Sequence, residues 1–255
     1  MTANFNPIDS LDARVAIIAG ALGAVGQATA HRLARRGARI VALHRKPAAE
    51  AQAFVATLPG RDHFHVRASI TDSAELQRAA ETVKDRCDGV AHILVNTAGF
   101  TKPVAAHDLP GLTDALIDEI FQSNWRGVFA TIRAFHPLLK ASGDGVIVNV
   151  SSIAGFTGVG SNLAYAASKA GLDVLGKGLA RALAPEVRVL TVSPGAVESN
   201  FVPGRGAEFN AKVAANTPLK RVGLPEDVAA AIEACATTLR FATGQVFVVD
   251  GGRSL

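Results

Sequence analysis

The sequence predicts an α/β fold: one domain built on a doubly wound, seven-stranded parallel sheet with helices on both faces. Three observations predict it. Short apolar runs alternate with stretches of helical periodicity along the whole chain. Those runs are rich in Val, Ile and Leu without polar alternation, as strands buried on both faces should be. The 255 residues, 49% of them hydrophobic, suffice for one full core. No repeat, low-complexity tract or linker divides the chain. Residues 1–13 read as an N-terminal extension and residues 14–255 as the domain.

The bulk numbers narrow the function classes. Net charge is +4, and the basic residues are scattered apart from Arg35-Arg36 and Arg45-Lys46. That pattern carries no nucleic-acid footprint. The two cysteines, Cys87 and Cys235, give neither a disulfide framework nor a metal-type spacing. Met1 to Asp12 is polar and lacks an apolar signal core. No run reaches the ~20 apolar residues that span a bilayer. The expectation is a soluble cytoplasmic protein without a membrane or nucleic-acid partner and without a metal.

The first strand is predicted over Arg14 to Ala19. Gly20-Ala-Leu-Gly23-Ala-Val-Gly26 follows and opens a helix to about Arg36. Strand, glycine turn and helix make the context of a dinucleotide site. Glycines let the backbone approach a pyrophosphate, and the helix start supplies N–H donors. The second strand runs from Arg39 to His44. An acidic residue about 20 positions beyond the glycines would bind the ribose 2′-hydroxyl of NAD. Here the chain reads His44-Arg45-Lys46. Arg45 could grip a 2′-phosphate, which favours NADP(H) over NAD(H). Alternatively these cations are merely solvated at a strand end.

A helix over about 47–57 leads to a third strand near His63 to Arg67. His63 and His65 should share a strand face, as structural groups and not a metal site. Asp72-Ser73 should cap a helix reaching about Cys87. The fourth strand, His92 to Asn96, runs into Thr97-Ala98-Gly99. A small-residue turn at a strand's C-terminal end is where such a sheet opens its crevice. Leu112 to about Lys140 predicts one long helix containing Asn124, either a polar group at a kink or a satisfied core residue.

The chemistry concentrates between Ser151-Ser152 and Lys169. Val146 to Val150 is an apolar strand, and Leu172, Leu175, Leu179 and Leu183 recur at helical spacing. A hydroxyl thus sits at a strand end. Tyr165 and Lys169 sit near a helix start, one turn apart on a shared face. A free tyrosine ionises near pH ~10, and a neighbouring cation favours its phenolate. A tyrosine tuned this way can exchange a proton with an alcohol or carbonyl oxygen, which the serine hydroxyl can hold.

Beyond it come a strand from Arg188 to Ser193, Pro194-Gly195, and a long segment over about 200–218 expected to be an irregular lid. Pro225-Glu226-Asp227 opens a helix to about Leu239, and Gly244 to Asp250 is the last strand. Gly171 to Lys177 nearly spells a phosphate-binding loop, but it lacks the final Ser/Thr and lies inside a predicted helix. No Gly-x-Ser-x-Gly elbow surrounds Ser151 or Ser152, and the last histidine is His136, which argues against a serine hydrolase.

Together these residues resemble the classical short-chain dehydrogenase/reductase family from Arg14 to Gly252, and are similar to its 3-oxoacyl-(acyl-carrier-protein) reductases. Asn96-Thr-Ala-Gly99 resembles the family's Asn-Asn-Ala-Gly turn, and Pro194-Gly195 and Asp250-Gly251-Gly252 its later signatures. Asn124, Ser152, Tyr165 and Lys169 match its catalytic tetrad. The resemblance implies a single Rossmann-like domain. It implies that Tyr165 is general acid or base, that Ser152 holds the carbonyl oxygen, and that Lys169 lowers the tyrosine pKa and binds the nicotinamide ribose. Asn124 would anchor a water. The implied cofactor contacts are Gly20, Leu22, Gly23, Val25, Gly26, His44, Arg45, Ser69, Ile70, Asn96, Ala98, Gly99, Tyr165, Lys169, Pro194, Gly195, Val197 and Ser199.

Four positions depart from the family pattern. Ala19 and Ala24 replace the Thr and the middle Gly of Thr-Gly-x-x-x-Gly-x-Gly. Ser69 stands where the family has an adenine-contacting Asp. Gly23 occupies the position where many NADP users carry a basic residue.

The implied reaction is hydride transfer between NADP(H) and a ketone or secondary alcohol, a 3-oxoacyl thioester being one candidate substrate. Phe100, Phe156, Leu163, Phe201 and Phe209 are candidate pocket walls, or ordinary packing. The alternatives are an NAD-dependent secondary alcohol dehydrogenase and a non-catalytic nucleotide-sensing regulator. By resemblance the chain should form a homotetramer or homodimer on its long helices. Ala166, Ala167, Ala170 and Gly171 would permit close packing there, or could face the sheet.

Overall fold

Burial on both faces dictates how the apolar runs associate. β1 (Val15–Ala19), β2 (Arg39–His44), β3 (Phe64–Arg67), β4 (Ile93–Asn96), β5 (Gly145–Val150), β6 (Val187–Pro194) and β7 (Val246–Val249) pair in parallel. This computed structural model describes residues 10–204 and 206–255. Most of the expected N-terminal extension, and Arg205 of the expected lid, lie outside the described residues. The sheet order is β3-β2-β1-β4-β5-β6-β7, so it reverses between β1 and β4. A crevice opens beyond the C-terminal ends of the strands at such a reversal.

Successive strand residues point to opposite faces, which splits the core in two. Ile17, Leu94 and Ile147 pack under α3 (Ser73–Arg86), α5 (Gly127–Ala141) and α7 (Leu163–Leu183), where Leu76, Phe135 and Leu172 are buried. Ile18, Val95 and Val148 pack under α1 (Ala24–Arg35), α2 (Ala48–Val55) and α9 (Pro225–Ala236), where Leu33, Val55 and Ile232 are buried. Each such side chain contributes about 1.5–3 kcal/mol through burial.

Several sequence expectations are corrected. The long helix over 112–140 is broken into α4 (Asp114–Phe121), a π turn (Gln122–Arg126) and α5. The break is at Asn124, whose side chain bonds outside the helix, to the Phe100 backbone. The expected irregular lid contains a helix, α8 (Ala207–Ala215). Its Ala, Glu and Lys are strong helix formers and outweigh the flanking Gly and Pro. A short helix, α6 (Ala154–Thr157), follows Ser152. His63 lies outside β3, where its ring accepts from Ile40 N–H and reaches the Pro59 carbonyl. Leu11 belongs to the core: it is buried, and its N–H donates to Arg36 O at 2.8 Å.

One ionic cluster ties α1 to α9. Glu233 accepts from Arg32 and Arg36, each at 2.6 Å, and its side chain is 8% exposed. Breaking a buried pair from one side leaves uncompensated charge. Glu233→Ala strands two guanidiniums against each other and is expected to cost about 3 kcal/mol of stability. A lower urea midpoint with an unchanged slope would report it.

Candidate active site

The site is assembled from strand ends. β1 exits into Gly20, which has φ +83°, and a Cβ there would lie 2.7 Å from Ala98 N. Thr97 and Ala98 N–H groups both donate to Ala19 O, which locks the β4 exit against the β1 exit. A Cβ on Gly26 would collide with the Gly20 carbonyl oxygen. These two positions need glycine. Gly23 has an ordinary φ of −82° and serves as the N-cap of α1, and Ala24 stands exposed as the first helical residue. The altered turn therefore still delivers strand into helix. No side chain caps α1 and its first turn holds no acidic residue. Its first N–H groups are free to meet an anion.

At the neighbouring strand ends, His44 is buried and its Nε2 lies 3.1 Å from His65 Nδ1. Burial, then the His65 ring, hold His44 below the usual histidine range. Arg45 is exposed, and next to it Lys46 pairs with Glu50 at 3.5 Å. Ser69 N–H donates to Glu75 Oε2, and the Ser69 hydroxyl shares a hydrogen bond with Thr71. Ile70 packs against Gly127 at the start of α5. Asn96 donates to Asn149 Oδ1 within the sheet at 2.9 Å, so its side chain faces β5 and not the crevice.

The reacting groups gather over β5 and α7. Asn162 caps α7 by accepting from Tyr165 N–H at 2.7 Å. Its amide also donates to Lys102 O and Thr101 Oγ1, which pins the loop after β4 to the helix start. Tyr165 is thus held from its own backbone. Lys169 follows one turn on, 4% exposed, with Nζ donating to Val150 O at 2.9 Å. The ammonium lies 5.7 Å from the Tyr165 ring centre. Burial pushes the Lys169 pKa down to about 8, while Asp173 acts the other way. Ser152 Oγ accepts from Ala154 N–H, which leaves its own proton to donate.

Asn124 is fully buried. Its Oδ1 accepts from Phe100 N–H at 2.8 Å, and its Nδ2 donates to Phe100 O and Ser168 Oγ. Its side chain is thereby occupied in holding the Gly99–Phe100 loop. Beyond β6, Gly195 N–H donates to Val249 O, and a Cβ there would press on Asp250. Val197 bridges to Gly223, and Ser199 Oγ accepts from Phe201 N–H. The Phe201 ring sits 6.1 Å from that of Tyr165 and reaches over Gly99.

The predicted site residues lie on strand ends and on the turns and helices that follow them, and the Asn96 side chain is turned into the sheet. Of the candidate pocket walls, Phe100 packs with Tyr165 in a small apolar cluster, while Phe156 and Leu163 stand exposed. Sequence reasoning missed Asn162. Asn162 had a signal, an Asn immediately before an apolar helical run, but the spacing of Tyr165 and Lys169 drew the helix start too late. Among the described residues no group of three or more His, Cys, Asp or Glu could hold a metal, and no helix is long and apolar enough to cross a membrane.

Comparison with known proteins agrees with this fold. A family model described as enoyl-(acyl carrier protein) reductase matches residues 20–254. A 3-oxoacyl-(acyl-carrier-protein) reductase of Synechocystis is 33% identical, over 95% of this chain and 98% of its own. A cis-4-hydroxycyclohexanecarboxylate dehydrogenase of Sinomonas cyclohexanicum is 34% identical, over 94% of this chain and 96% of its own. The crystal structure of a 3-oxoacyl-(acyl-carrier protein) reductase from Brucella melitensis superposes with a TM-score of 0.87 at 28% identity, covering 100% of this chain and 98% of the other.

The bonds of Asn124 give a stability prediction. Asn124→Ala leaves both backbone groups of Phe100 without their side-chain partner in a half-buried place. The expected loss is about 1–3 kcal/mol, since water replaces part of what the amide satisfied. Thermal unfolding of the variant in buffer alone measures it.

Proposed function

The chain belongs to the short-chain dehydrogenase/reductase family of oxidoreductases, and from that premise we propose that it reduces a ketone with NADPH, or oxidises the matching secondary alcohol, through Tyr165. The observation that carries this reading is the buried Lys169 ammonium, 5.7 Å from the Tyr165 ring centre, with Ser152 just past the end of β5. A dinucleotide is supported by Gly20 and Gly26, whose missing Cβ atoms keep backbone close, and by the uncapped start of α1. Arg45, exposed where an acid would otherwise bind a ribose hydroxyl, supports NADP(H).

When bound, the nicotinamide supplies or takes the hydride. The chain's own residues handle the oxygen and its proton. Ser152 donates a hydrogen bond to the substrate oxygen. Tyr165 gives that oxygen a proton in reduction and removes it in oxidation. Lys169, held at Val150 O, stabilises the phenolate left behind. Read as two donors to one substrate oxygen, the Ser152 and Tyr165 hydroxyls favour carbonyl reduction over reduction of a carbon–carbon double bond.

A 3-oxoacyl thioester is the substrate class we favour. Phe156, Leu163 and Phe201 are exposed apolar side chains near α7's start, and the Synechocystis and Brucella relatives carry that activity in their names. The same reading includes a cytoplasmic homodimer or homotetramer, with the stacked Trp125 and Phe129 available for contact between copies. An NAD-dependent secondary alcohol dehydrogenase is the alternative kept, since a relative is named as a dehydrogenase.

Two variants test the proposal. Tyr165→Phe keeps the ring and should fold, yet ketone-dependent oxidation of NADPH should fall at least ~10²-fold. Near-native turnover would end the mechanism. Arg45→Ala should weaken NADPH about 10- to 100-fold while barely changing NADH, the scale of one charge-assisted contact. A native preference for NADH would reverse the cofactor assignment.

A further inference from the structure

One buried pair of titratable rings has no part in the scheme above. His44, the last residue of β2, is 4% exposed, and its Nε2 meets Nδ1 of the half-buried His65 at 3.1 Å. The rings stand edge to face with their centres 5.1 Å apart. A separation that short holds one hydrogen, supplied by either ring. Each neutral ring owns one N–H, so the pair's other hydrogen sits on His44 Nδ1 or on His65 Nε2, never on both. His44 Nδ1 is buried without a hydrogen-bond partner among the described residues. A buried ring nitrogen left unpaired costs free energy, so its retention calls for a role. The place supplies one: His44 directly precedes the exposed Arg45, where a nucleotide 2′-phosphate is assigned above.

We propose that the His44–His65 pair takes up one proton when a 2′-phosphorylated nucleotide binds, and so helps the protein to select NADP(H). This rests on the reading of Arg45 as the 2′-phosphate ligand and deepens it. With the extra proton, taken from water, His44 Nδ1 and His65 Nε2 both carry hydrogen, and one positive charge stands behind Arg45. A phosphate dianion favours that charge, and by reciprocity the charge favours the phosphate. A ribose hydroxyl at the same place gains nothing from it. The surroundings hold the pair ready. Burial, the His65 ring and Arg67 of β3 oppose a proton on His44, while the Lys46 backbone and Glu50 of α2 favour one. β1 carries no titratable side chain. On α1, Arg32 turns to Glu233, His31 packs on Phe54, and Arg35 lies in the last turn, away from the crevice.

The sign of the effect follows from linkage. Without nucleotide, His44 lies below the usual histidine range and is neutral near pH 7. The bound phosphate raises the pair's affinity for a proton. Affinity gained in this way is full below the free value and is lost as pH rises through the bound value. NADPH therefore tightens relative to NADH as pH falls. The phosphate's own titration runs the other way. It loses its second proton near pH ~6, and against a guanidinium it sheds the remainder on binding. A net uptake of protons thus comes from the protein.

Titration calorimetry of the full-length protein, in two buffers of different ionisation enthalpy, counts the protons directly. Near pH ~6.5 NADPH should take up about half a proton on binding, and NADH about none. Between about pH 8 and pH 6 the native ratio of NADPH to NADH affinity should grow about three- to tenfold, the scale of one linked proton. His65→Gln keeps a hydrogen-bonding amide beside His44 and cannot take a charge. It should abolish the uptake and flatten the ratio, which a merely structural role would not do. If His65→Gln does not fold, His44→Gln carries the test with the same expected losses. A native preference for NADPH without proton uptake overturns the role of the pair and spares Arg45, as does an uptake that survives in a folded variant. A native preference for NADH overturns the Arg45 reading, and the proposal with it.

Discussion

A charged ammonium sealed inside the protein is the constraint around which this structure is arranged. Lys169 is almost without solvent, and burial pushes its pKa down to about 8. The surroundings answer with a small set of fixed groups. The last carbonyl of β5 accepts a hydrogen bond from it, and the helix that carries it is capped by Asn162, which also grips the loop leaving β4. Strand, helix start and loop are thus held by polar bonds that serve one another. Loosening any of them disturbs where the ammonium meets the tyrosine ring.

The nucleotide half of the crevice is governed by contact distance instead of charge. Gly20 must pass under Ala98, and Gly26 must pass over the Gly20 carbonyl. Between those two points the chain tolerates change, as Ala24 shows. The family pattern has a glycine there, yet the alanine methyl group sits in open solvent at the first helical position. Position along the turn decides which glycine is needed.

The strands were legible because burial on both faces writes itself as runs of Val, Ile and Leu, and the order of the glycine turn, Ser152, Tyr165 and Lys169 suggested the candidate site. What escaped was set by contacts distant in sequence. Nothing local announces that Asn124 bonds Phe100 and opens a π turn, because that loop is 24 residues away. Helix α8 was hidden by neighbouring Gly and Pro, which colour composition without entering the helix. His63 sits beside a strand pattern but turns its ring back to Ile40. In each case a side chain's partner, and not its type, decided the outcome.

The aromatic ring of Phe201 has a further consequence. It rests beside Tyr165 and above Gly99 in the protein without ligand. Under the proposed mechanism, a substrate that lies against Tyr165 from that side has to displace the ring. That displacement belongs to entry, and it is complete before any bond changes. Its cost is then shared by the bound ground state and the transition state, so it falls on KM and leaves kcat alone. A bulky apolar substrate recovers part of that cost by packing on the displaced ring, whereas a small polar one cannot. On that reading, ring displacement favours large substrates without a pocket shaped for any one of them.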